Sequence, residues 1–333
     1  MKRILVTGGA GFIGSNFIRY QLDRYPDVHI VNYDKLTYAG NLDNLKGIDE
    51  SRYSFVQADV ADASAIEKAM KGCDAVAHFA ADSHVDRSIM EASDFVSTNV
   101  RGVYNILEAA KTLKTGRILL VSTDEVYGSR LEGSFTEKDK LNPRNPYTAT
   151  QAGGDLMGLA HFQTFGTPVV ITRGSNTYGP YQYPEKVLPL FITNAIDDEK
   201  LPLYGDGRNV RDWLYVEDHC SGIDLVLREG VPGEIYNVAG GNERENIELT
   251  HKVLAALGKG DDLIRHVEDR AGHDRRYSID AAKLQALGWK PAMDWNEGVA
   301  LTVNWYRNNE WWWRKIKSGE FKEYYEKQYA NRR

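Results

Sequence analysis

Three side chains of this sequence have the clearest capacity for proton transfer: the adjacent carboxylates Asp124 and Glu125, and the phenol of Tyr147. Two neighbouring carboxyl groups can act as acid and base when their surroundings push their pKa values apart, and a phenol can serve as a further base. Taken alone, the carboxylate pair could also belong to a loop turn or cap a helix. The elements that position these residues therefore decide what chemistry they can do.

The first 175 residues alternate short apolar segments with longer helical patterns. This alternation predicts an α/β fold of the Rossmann type, in which a doubly wound parallel sheet carries helices on both faces. We predict strands at residues 3–7, 29–33, 53–57, 75–79, 117–122 and 168–173. The predicted helices are residues 12–24, 63–70, 93–113 and 147–165.

Beyond residue 175 the composition changes to loop-forming Gly, Pro, Asn and Tyr, followed by short elements. We predict two parts: a Rossmann domain over residues 1–175, and a smaller mixed α/β substrate-binding part over residues 176–333, interleaved with the first. The elements predicted in the second part are residues 201–204, 210–215, 216–227, 234–238 and 247–257. The tail is rich in aromatic residues, which favours a helix packed on the body over an aromatic ligand site.

This order predicts that the proton-transfer residues share one crevice. Thr123, Asp124 and Glu125 follow the predicted fifth strand, and ligands of open α/β sheets collect at that edge. Pro146 breaks any earlier helix, so Tyr147 begins a new one, and its phenol is expected to face the same crevice.

A glycine-rich segment predicts a dinucleotide site. Gly8, Gly11 and Gly14 directly follow the first strand and open a helix, so the backbone can approach a pyrophosphate at the helix N-terminus. Asp34 lies 20 residues beyond Gly14, where a carboxylate accepts ribose hydroxyls and repels a 2′-phosphate. The cofactor is therefore predicted to be NAD rather than NADP. Strand ends add candidate contacts to the adenine and the nicotinamide ribose: Asp59, Val60, Ala80 and Ala81.

The overall composition limits which classes of protein this chain can belong to. Of the 333 residues, 42% are hydrophobic and 26% charged, as in an ordinary globular protein. The net charge of −6 argues against a general nucleic-acid binder. The two cysteines fit a reducing compartment, and no apolar segment is long enough to span a membrane. We expect a cytoplasmic enzyme without a metal site.

With these residues identified, the chain resembles the extended short-chain dehydrogenases/reductases and, within that group, the dTDP-glucose 4,6-dehydratases. The motifs that carry the resemblance are residues 8–14, 34–41, 83–88, 122–128, 178–181, 211–219 and 269–276. The triplet from Thr123 to Glu125 is the discriminating part, because related epimerases and decarboxylases do not pair Asp with Glu there.

The resemblance implies a closed redox cycle on the sugar of dTDP-glucose. Tyr147 would remove the proton of the 4-hydroxyl while hydride passes from carbon 4 to NAD. Glu125 would then take the proton of carbon 5, and Asp124 would protonate the leaving 6-hydroxyl. Hydride returns to carbon 6 and leaves a 4-keto-6-deoxy sugar nucleotide, while Thr123 could hydrogen-bond the 4-oxygen.

The resemblance also implies the binding residues and a homodimer, in which the helices at residues 93–113 and 147–165 pack against their symmetry mates. The expected NAD-binding residues are Gly8, Gly11, Phe12, Ile13, Gly14, Asp34, Lys35, Leu36, Thr37, Asp59, Val60, Ala80, Ala81, Ser83, Thr98, Tyr147, Gln151 and Thr177. The expected sugar-nucleotide residues are Ser83, His84, Thr123, Asn176, Lys186, Val187, Leu188, Pro202, Tyr204, Arg211, Asn246, Arg270 and His273.

Gln151 departs from the family's pattern, in which a lysine follows the tyrosine by four residues. Loss of a cation at that distance raises a phenol's pKa by roughly 1–3 units and slows the first step by about 10- to 1000-fold if nothing compensates. Three interpretations stay open. The glutamine is an introduced change, a natural one tolerated because the nicotinamide's charge keeps the phenol acidic, or a mark of altered activity.

Two alternative functions also stay open. A 4-epimerase or decarboxylase of the same group needs no acid for a leaving 6-hydroxyl, so the carboxylate pair argues against it. A catalytically inactive protein that binds NAD and a sugar nucleotide is motivated by Gln151 alone.

Overall fold

The computed structural model describes residues 1–269, 272–318 and 320–329. Its strands are β1 (Arg3–Thr7), β2 (His29–Asp34), β3 (Tyr53–Gln57), β4 (Ala75–His78), β5 (Arg117–Thr123), β6 (Val169–Gly174), β7 (Asn176–Tyr178), β8 (Leu201–Tyr204), β9 (Val210–Tyr215), β10 (Ile235–Val238), β11 (Glu243–Glu245) and β12 (Ile264–Val267). Its helices are α1 (Phe12–Arg24), α2 (Ala63–Met70), α3 (Val85–Met90), α4 (Ser93–Val96), α5 (Val103–Leu113), α6 (Pro146–Phe165), α7 (Val187–Ile196), α8 (Val216–Glu229), α9 (Asn246–Leu257), α10 (Ala282–Gln285), α11 (Trp295–Asn308), α12 (Glu310–Lys317) and α13 (Glu320–Tyr329).

Within the described residues, seven parallel strands form one sheet in the order β3-β2-β1-β4-β5-β6-β10. Side chains alternate between its faces: Ile4 and Val6 of β1 join one apolar core, whereas Leu5 joins the core on the opposite face. The strand order reverses between β1 and β4, which is where ligands bind in such sheets. The predicted Rossmann-type fold is confirmed.

The predicted continuous helix over residues 93–113 is wrong in one respect. A π-helical segment, Ser97–Gly102, separates α4 from α5. Its polar side chains hold the loop after β4: Thr98 Oγ1 donates to Asp82 Oδ2 at 2.8 Å, and Asn99 Oδ1 accepts from Asp82 N at 3.0 Å. The wider turn lets neighbouring helix residues reach this loop, as π-helical segments at functional sites commonly do.

The second part of the chain is interleaved with the first. Strands β11, β9 and β7 form a small sheet, and β12 pairs with β8. Between them, however, α8 packs on β5 and β6, and β10 joins the edge of the large sheet. The chain therefore crosses between the two parts more than once, and the division at residue 175 stays a prediction.

Two tryptophans of the tail, Trp312 and Trp313, pack into the core of the smaller part, whereas Trp311 is 44% exposed. Trp312 and Trp313 are buried, and their indole N–H groups donate to Asn44 Oδ1 at 2.8 Å and to Tyr306 O at 2.9 Å. Trp312 and Trp313 thus anchor the C-terminal helices on the body. Across the residues described, no helix combines the length and apolar character needed to cross a membrane.

Candidate functional site

The glycines after β1 form a backbone cradle. Gly8 has a φ of +68°, and a Cβ added to it would lie 2.6 Å from Ala80 N. A Cβ on Gly14 would lie 2.3 Å from Gly8 O, so a side chain at either position would displace backbone. Helix α1 begins at Phe12 after Gly11, which has no side chain to cap it. The first N–H groups of α1 are therefore placed to receive a pyrophosphate.

Asp34 ends β2 at the wall of the same cavity. Its carboxylate accepts the backbone N–H groups of Ala10 at 2.9 Å and Leu36 at 2.8 Å. Burial raises the pKa of Asp34, and these two hydrogen bonds oppose that shift. A carboxylate fixed by backbone donors has a defined position from which to accept ribose hydroxyls.

Beyond Asp34 the cavity continues past the ends of β3 and β4. Lys35 forms a 2.7 Å ion pair with Asp59 across it. Its walls include most of the predicted NAD-binding residues: Gly8, Gly11, Phe12, Ile13, Gly14, Asp34, Lys35, Thr37, Asp59, Val60, Ala80, Ala81, Ser83, Thr98, Tyr147 and Gln151. The residues present therefore fit an extended dinucleotide.

Tyr147 also lines this cavity, from the first turn of α6. A capping box between Asn145 and Thr148, with Pro146 at the first helical position, fixes where that turn begins. Tyr147 is 6% exposed. Burial raises the pKa of its phenol, as does the Glu125 carboxylate, whereas hydrogen bonding by the Gln151 side chain opposes this shift.

Asp124 and Glu125 lie in a single 3₁₀ turn that directly follows β5. Thr123 begins the turn: its Oγ1 accepts from Glu125 N at 3.3 Å and donates to Asp124 Oδ1 at 3.3 Å. Asp124 is 3% exposed, and burial, followed by the charges of Glu125 and Asp212, raises the pKa of its carboxyl well above the usual value. Among the described residues, Asp124 Oδ2 and Glu125 Oε2 have no hydrogen-bond partner. The pair is thus a buried acid beside a carboxylate that reaches a cavity wall.

A second cavity adjoins the first, because Glu185 and Lys186 line both. Arg211 is held by two backbone carbonyls, those of Val210 at 2.7 Å and Asp274 at 3.0 Å. The cavity brings together these predicted sugar-nucleotide residues: His84, Asn176, Lys186, Val187, Pro202, Tyr204, Arg211, Asn246 and His273. Glu125 lines it as well, and its charge acts on the phenol of Tyr147, which lines the first cavity, whereas Asp124 lines neither.

Orphaned polar atoms support a polar ligand in this second cavity. Within the described part of the chain, the buried amide oxygens of Asn176 and Asn246 accept no hydrogen bond. Buried polar groups are rarely left without a partner in folded proteins. Both side chains line the cavity, so a bound hydroxyl or amide could supply the missing donor.

Four predicted binding residues do not line either cavity. The Thr177 hydroxyl lies 2.7 Å from His219 Nδ1 instead, and Leu188 is buried in the core of the smaller part. Leu36 contributes its backbone N–H to Asp34, and Thr123 caps the turn that holds the carboxylates. Arg270 lies outside the described residues.

Sequence reasoning missed a charged cluster between the cavities. The buried Glu185 carboxylate accepts from Arg87 Nε at 3.0 Å and from Tyr38 OH at 3.0 Å. The Arg87 guanidinium lies between two rings, 3.9 Å from the centroid of Tyr38 and 4.1 Å from that of Tyr324. These residues are far apart in the chain, so no local pattern links them.

Comparison with known proteins places the chain in a family. Residues 5–302 match the family model described as GDP-mannose 4,6 dehydratase. The chain belongs to this family, and the predicted resemblance to the extended short-chain dehydrogenases/reductases is confirmed.

Individual relatives are more specific. The dTDP-glucose 4,6-dehydratase of Streptomyces niveus is 49% identical over 322 residues, covering 95% of this chain and 96% of the relative. The low-salt glycan biosynthesis protein Agl12 of Haloferax volcanii is 51% identical over 308 residues, covering 92% and 99%. The crystal structure of DesIV, a dTDP-glucose 4,6-dehydratase from Streptomyces venezuelae with NAD and TYD bound, superposes with a TM-score of 0.93 at 51% identity over 95% of this chain and 100% of that chain.

Proposed function

We propose that this protein is an NAD-dependent nucleotide-sugar 4,6-dehydratase that converts dTDP-glucose to dTDP-4-keto-6-deoxyglucose. The observation that carries the proposal is the buried Asp124 carboxyl beside Glu125, which lines a polar cavity next to the dinucleotide cavity. An elimination across carbons 5 and 6 needs a base and an acid, whereas a 4-epimerisation needs no acid for a leaving hydroxyl. The relatives from Streptomyces niveus and Streptomyces venezuelae, both named dTDP-glucose 4,6-dehydratase, support the same reaction.

NAD fits the first cavity through the backbone cradle at Gly8 and Gly14 and the fixed carboxylate of Asp34. Bound there, NAD would supply the reversible hydride transfer that links oxidation at carbon 4 of the sugar to reduction at carbon 6. The chain's contribution at this end is Tyr147, which takes the proton of the 4-hydroxyl. Gln151 presents an amide to the same region, so it can hydrogen-bond ribose hydroxyls without adding a charge.

The carboxylate pair carries out the elimination. The ketone at carbon 4 acidifies the proton of carbon 5, which Glu125 removes. Asp124 gives its proton to the 6-hydroxyl, which leaves as water. Burial and the charges of Glu125 and Asp212 raise the pKa of Asp124, which favours the protonated form that an acid requires. Carbon 5 regains a proton from solvent when carbon 6 is reduced, so the product differs from the substrate by one water.

Binding of the pyrophosphate rests on cations at fixed positions. Arg211 is oriented by two carbonyls, and Lys186 Nζ donates to Ser83 O at 2.8 Å. His273 Nδ1 lies 2.6 Å from Asp269 Oδ1 at the same cavity. We assign the Arg211 and Lys186 cations to the phosphates with His273 as a polar partner, and Asn176 and Asn246 to neutral donor groups, because an amide oxygen only accepts hydrogen bonds.

The protein is proposed to act as a homodimer through α4 to α6. Val96, Tyr104 and Leu156 expose 52%, 46% and 58% of their surface on neighbouring helices. Val103 and Leu107 of α5 are instead buried against the sheet. We propose that these exposed side chains, on helices that contact one another, form an apolar patch that a second copy covers.

A cytoplasmic location is proposed from cysteine use. Cys73 and Cys220 are both unpaired and buried, which fits a compartment that keeps thiols reduced. Cell fractionation with antibodies against the chain would test this, and recovery in the cytosolic fraction is expected.

The experiment that tests the function is incubation with NAD and dTDP-glucose, with analysis of the nucleotide sugar by mass spectrometry. We expect a product lighter by one water from the wild-type chain and none from Asp124→Asn. A product of unchanged mass that co-elutes with dTDP-galactose would indicate a 4-epimerase. Binding of dTDP-glucose with no product at any pH from 6 to 10 would favour the inactive binding protein.

A further inference from the structure

One arginine holds residues from the walls of both cavities while lining neither of them. Arg87, on α3, is not among the described residues that line the two cavities. Its Nε donates to Glu185 Oε2 at 3.0 Å, and its guanidinium lies 3.9 Å from the ring centroid of Tyr38. Tyr38 lines the cofactor cavity, whereas Glu185 lines both cavities. Any effect of Arg87 on a bound ligand therefore passes through the residues that it contacts.

The first of these contacts fixes a loop of the cofactor cavity. The loop of residues 35–41 follows β2, and most of its residues line that cavity. Its end is fixed to the glycine-rich turn, because Asn41 N donates to Ala10 O at 2.9 Å. Its middle is fixed by a distant segment, since Tyr38 OH donates to Glu185 Oε1 at 3.0 Å. The Glu185 carboxylate thus holds the loop in place beside the cofactor cavity.

Glu185 is balanced by two cations with different duties. Its side chain is 3% exposed, so burial raises its pKa, and the charges of Lys186 and Arg87 oppose that shift. Lys186 lines both cavities and is one of the cations assigned to the phosphates. A pyrophosphate that engages Lys186 would leave Glu185 more dependent on Arg87, because a buried charge is costly without a partner.

The second face of the Arg87 guanidinium is covered by the C-terminal helix. The ring centroid of Tyr324, on α13, lies 4.1 Å from the guanidinium carbon. Tyr324 is not among the described residues that line the cofactor cavity or its neighbour. A guanidinium between two rings is attracted to the face of each. The carboxylate and the two rings therefore fix Arg87 from three directions.

We propose that Arg87 is a positioning residue that couples the two ligand sites, so that NAD and the sugar nucleotide each bind more tightly when the other is present. This inference rests on the proposed function. Pyrophosphate on Lys186 leaves Arg87 and Tyr38 to balance Glu185, which fastens the cofactor loop through Tyr38. By linkage, NAD raises the affinity for the sugar nucleotide by the same factor. Such coupling suits a closed redox cycle, in which NAD is regenerated and need not leave between turnovers.

The test measures how much each ligand tightens the other in the full-length chain. Affinity for NAD is measured by fluorescence titration of the cofactor-free chain with and without dTDP, and affinity for dTDP by calorimetry with and without NAD. In the wild type, both experiments are expected to give the same enhancement, roughly 5- to 150-fold, the range for coupled sites.

Arg87→Met, which keeps the length of the side chain without its charge, is expected to abolish this enhancement. It should also raise the KM for dTDP-glucose more than it lowers kcat, because Arg87 acts on binding. Arg87→Lys retains the charge beside Glu185 but not the planar guanidinium, so it should retain part of the enhancement.

Arg130→Met is the matched control. Arg130 also pairs with a carboxylate, that of Asp139 at 2.6 Å, and its guanidinium lies 4.0 Å from the ring centroid of Phe135, but it lines neither cavity. Its loss should lower thermal stability at most and leave the enhancement unchanged. Tyr324→Leu removes a ring from Arg87 without uncovering a buried charge. It should reduce the enhancement, and it decides the question should Arg87→Met not fold.

Three results would overturn the inference while dehydratase activity leaves the proposed function standing. They are independent binding of NAD and dTDP in the wild type, a wild-type enhancement in folded Arg87→Met or Tyr324→Leu, and an equal loss of enhancement in Arg130→Met, which would indicate general destabilisation. A wild-type chain that neither binds dTDP nor converts dTDP-glucose would remove the proposed function and this inference together.

Discussion

Tyr147 and Gln151 lie one turn apart on α6, and both line the cofactor cavity. Burial and the Glu125 carboxylate raise the pKa of the phenol, and the Gln151 amide opposes that shift by hydrogen bonding. An amide dipole stabilises a phenolate less than a full positive charge does. The arrangement therefore leaves the first proton transfer dependent on the charge of the bound nicotinamide and on pH.

Gln151→Lys is expected to increase kcat near pH 7 and to move the alkaline rise of activity to lower pH. A cation one turn from the phenol lowers its pKa by roughly 1–3 units, which corresponds to about a 10- to 1000-fold gain if that proton transfer limits the rate. The pH–rate profile from pH 6 to 10 measures this. Gln151→Glu, of similar size and opposite charge, should lower activity, and identical profiles for all three chains would contradict the assigned role of Tyr147.

Relative to the wild type, Asp124→Asn is expected to raise the unfolding free energy of the cofactor-free protein, by an amount that increases with pH. The folded pKa of Asp124 lies above its usual value of 3.8, so the native state binds more protons than the unfolded state between the two pKa values. Between these two pKa values the unfolding free energy of the wild type therefore falls with rising pH, by about 1.4 kcal/mol per pH unit relative to the variant. Urea unfolding at pH 4 to 8 measures the difference. A difference independent of pH would show that Asp124 ionises normally in the folded protein.

Asp34→Asn is expected to weaken NAD binding by roughly 10- to 150-fold, the range for a lost hydrogen bond to a charged group. Affinity for NADP should fall less or rise, because the carboxylate no longer repels the 2′-phosphate. Fluorescence titration with both cofactors checks this. Asp23→Asn, on the exposed side of α1, is the control and should leave both affinities unchanged.

Asp155→Ala is expected to cost about 3–5 kcal/mol of unfolding free energy, because it leaves a buried guanidinium without its partner. Asp155 and Arg173 form a 2.8 Å ion pair in which both side chains are 2% exposed. Urea denaturation measures the loss. The double change Asp155→Leu with Arg173→Leu should recover part of it, and additive losses would contradict a direct coupling between the two charges.

Leu156→Glu is expected to shift the protein toward a monomer in sedimentation velocity, because it introduces a charge into the apolar patch on α6. Leu131→Glu changes an equally apolar side chain that is 72% exposed elsewhere, so it should leave the association state unchanged. A dimer that persists in Leu156→Glu at low concentration would place the interface on another surface.

The parts of the fold and site that follow local rules were predictable from sequence. The glycine spacing after β1 and the capping of α6 by Asn145 are each readable in a few consecutive residues. The fold class and the family are confirmed, and the predicted strands and helices lie mostly within one or two residues of the observed boundaries, apart from the helix over residues 93–113. The assigned roles of the site residues stay predictions.

The features that were missed depend on contacts between distant segments. Glu185 meets Tyr38 and Arg87, residues 147 and 98 positions away, and hydrophobic periodicity carries no information about such partners. Tyr329 reaches the substrate cavity only because the preceding helices fold back over the smaller part. The π-helical segment at residues 97–102 has the same apolar pattern as a continuous helix, so the extra residue in its turn was not visible.

The most direct test of the account is conversion of dTDP-glucose in D₂O with bound NAD, followed by mass spectrometry and NMR of the product. The account predicts a 4-keto-6-deoxy sugar nucleotide that has lost one water and carries one solvent deuterium, at carbon 5, because that carbon loses a proton to Glu125 and regains one from solvent. A product of unchanged composition, or one without deuterium at carbon 5, would contradict elimination by the Asp124–Glu125 pair.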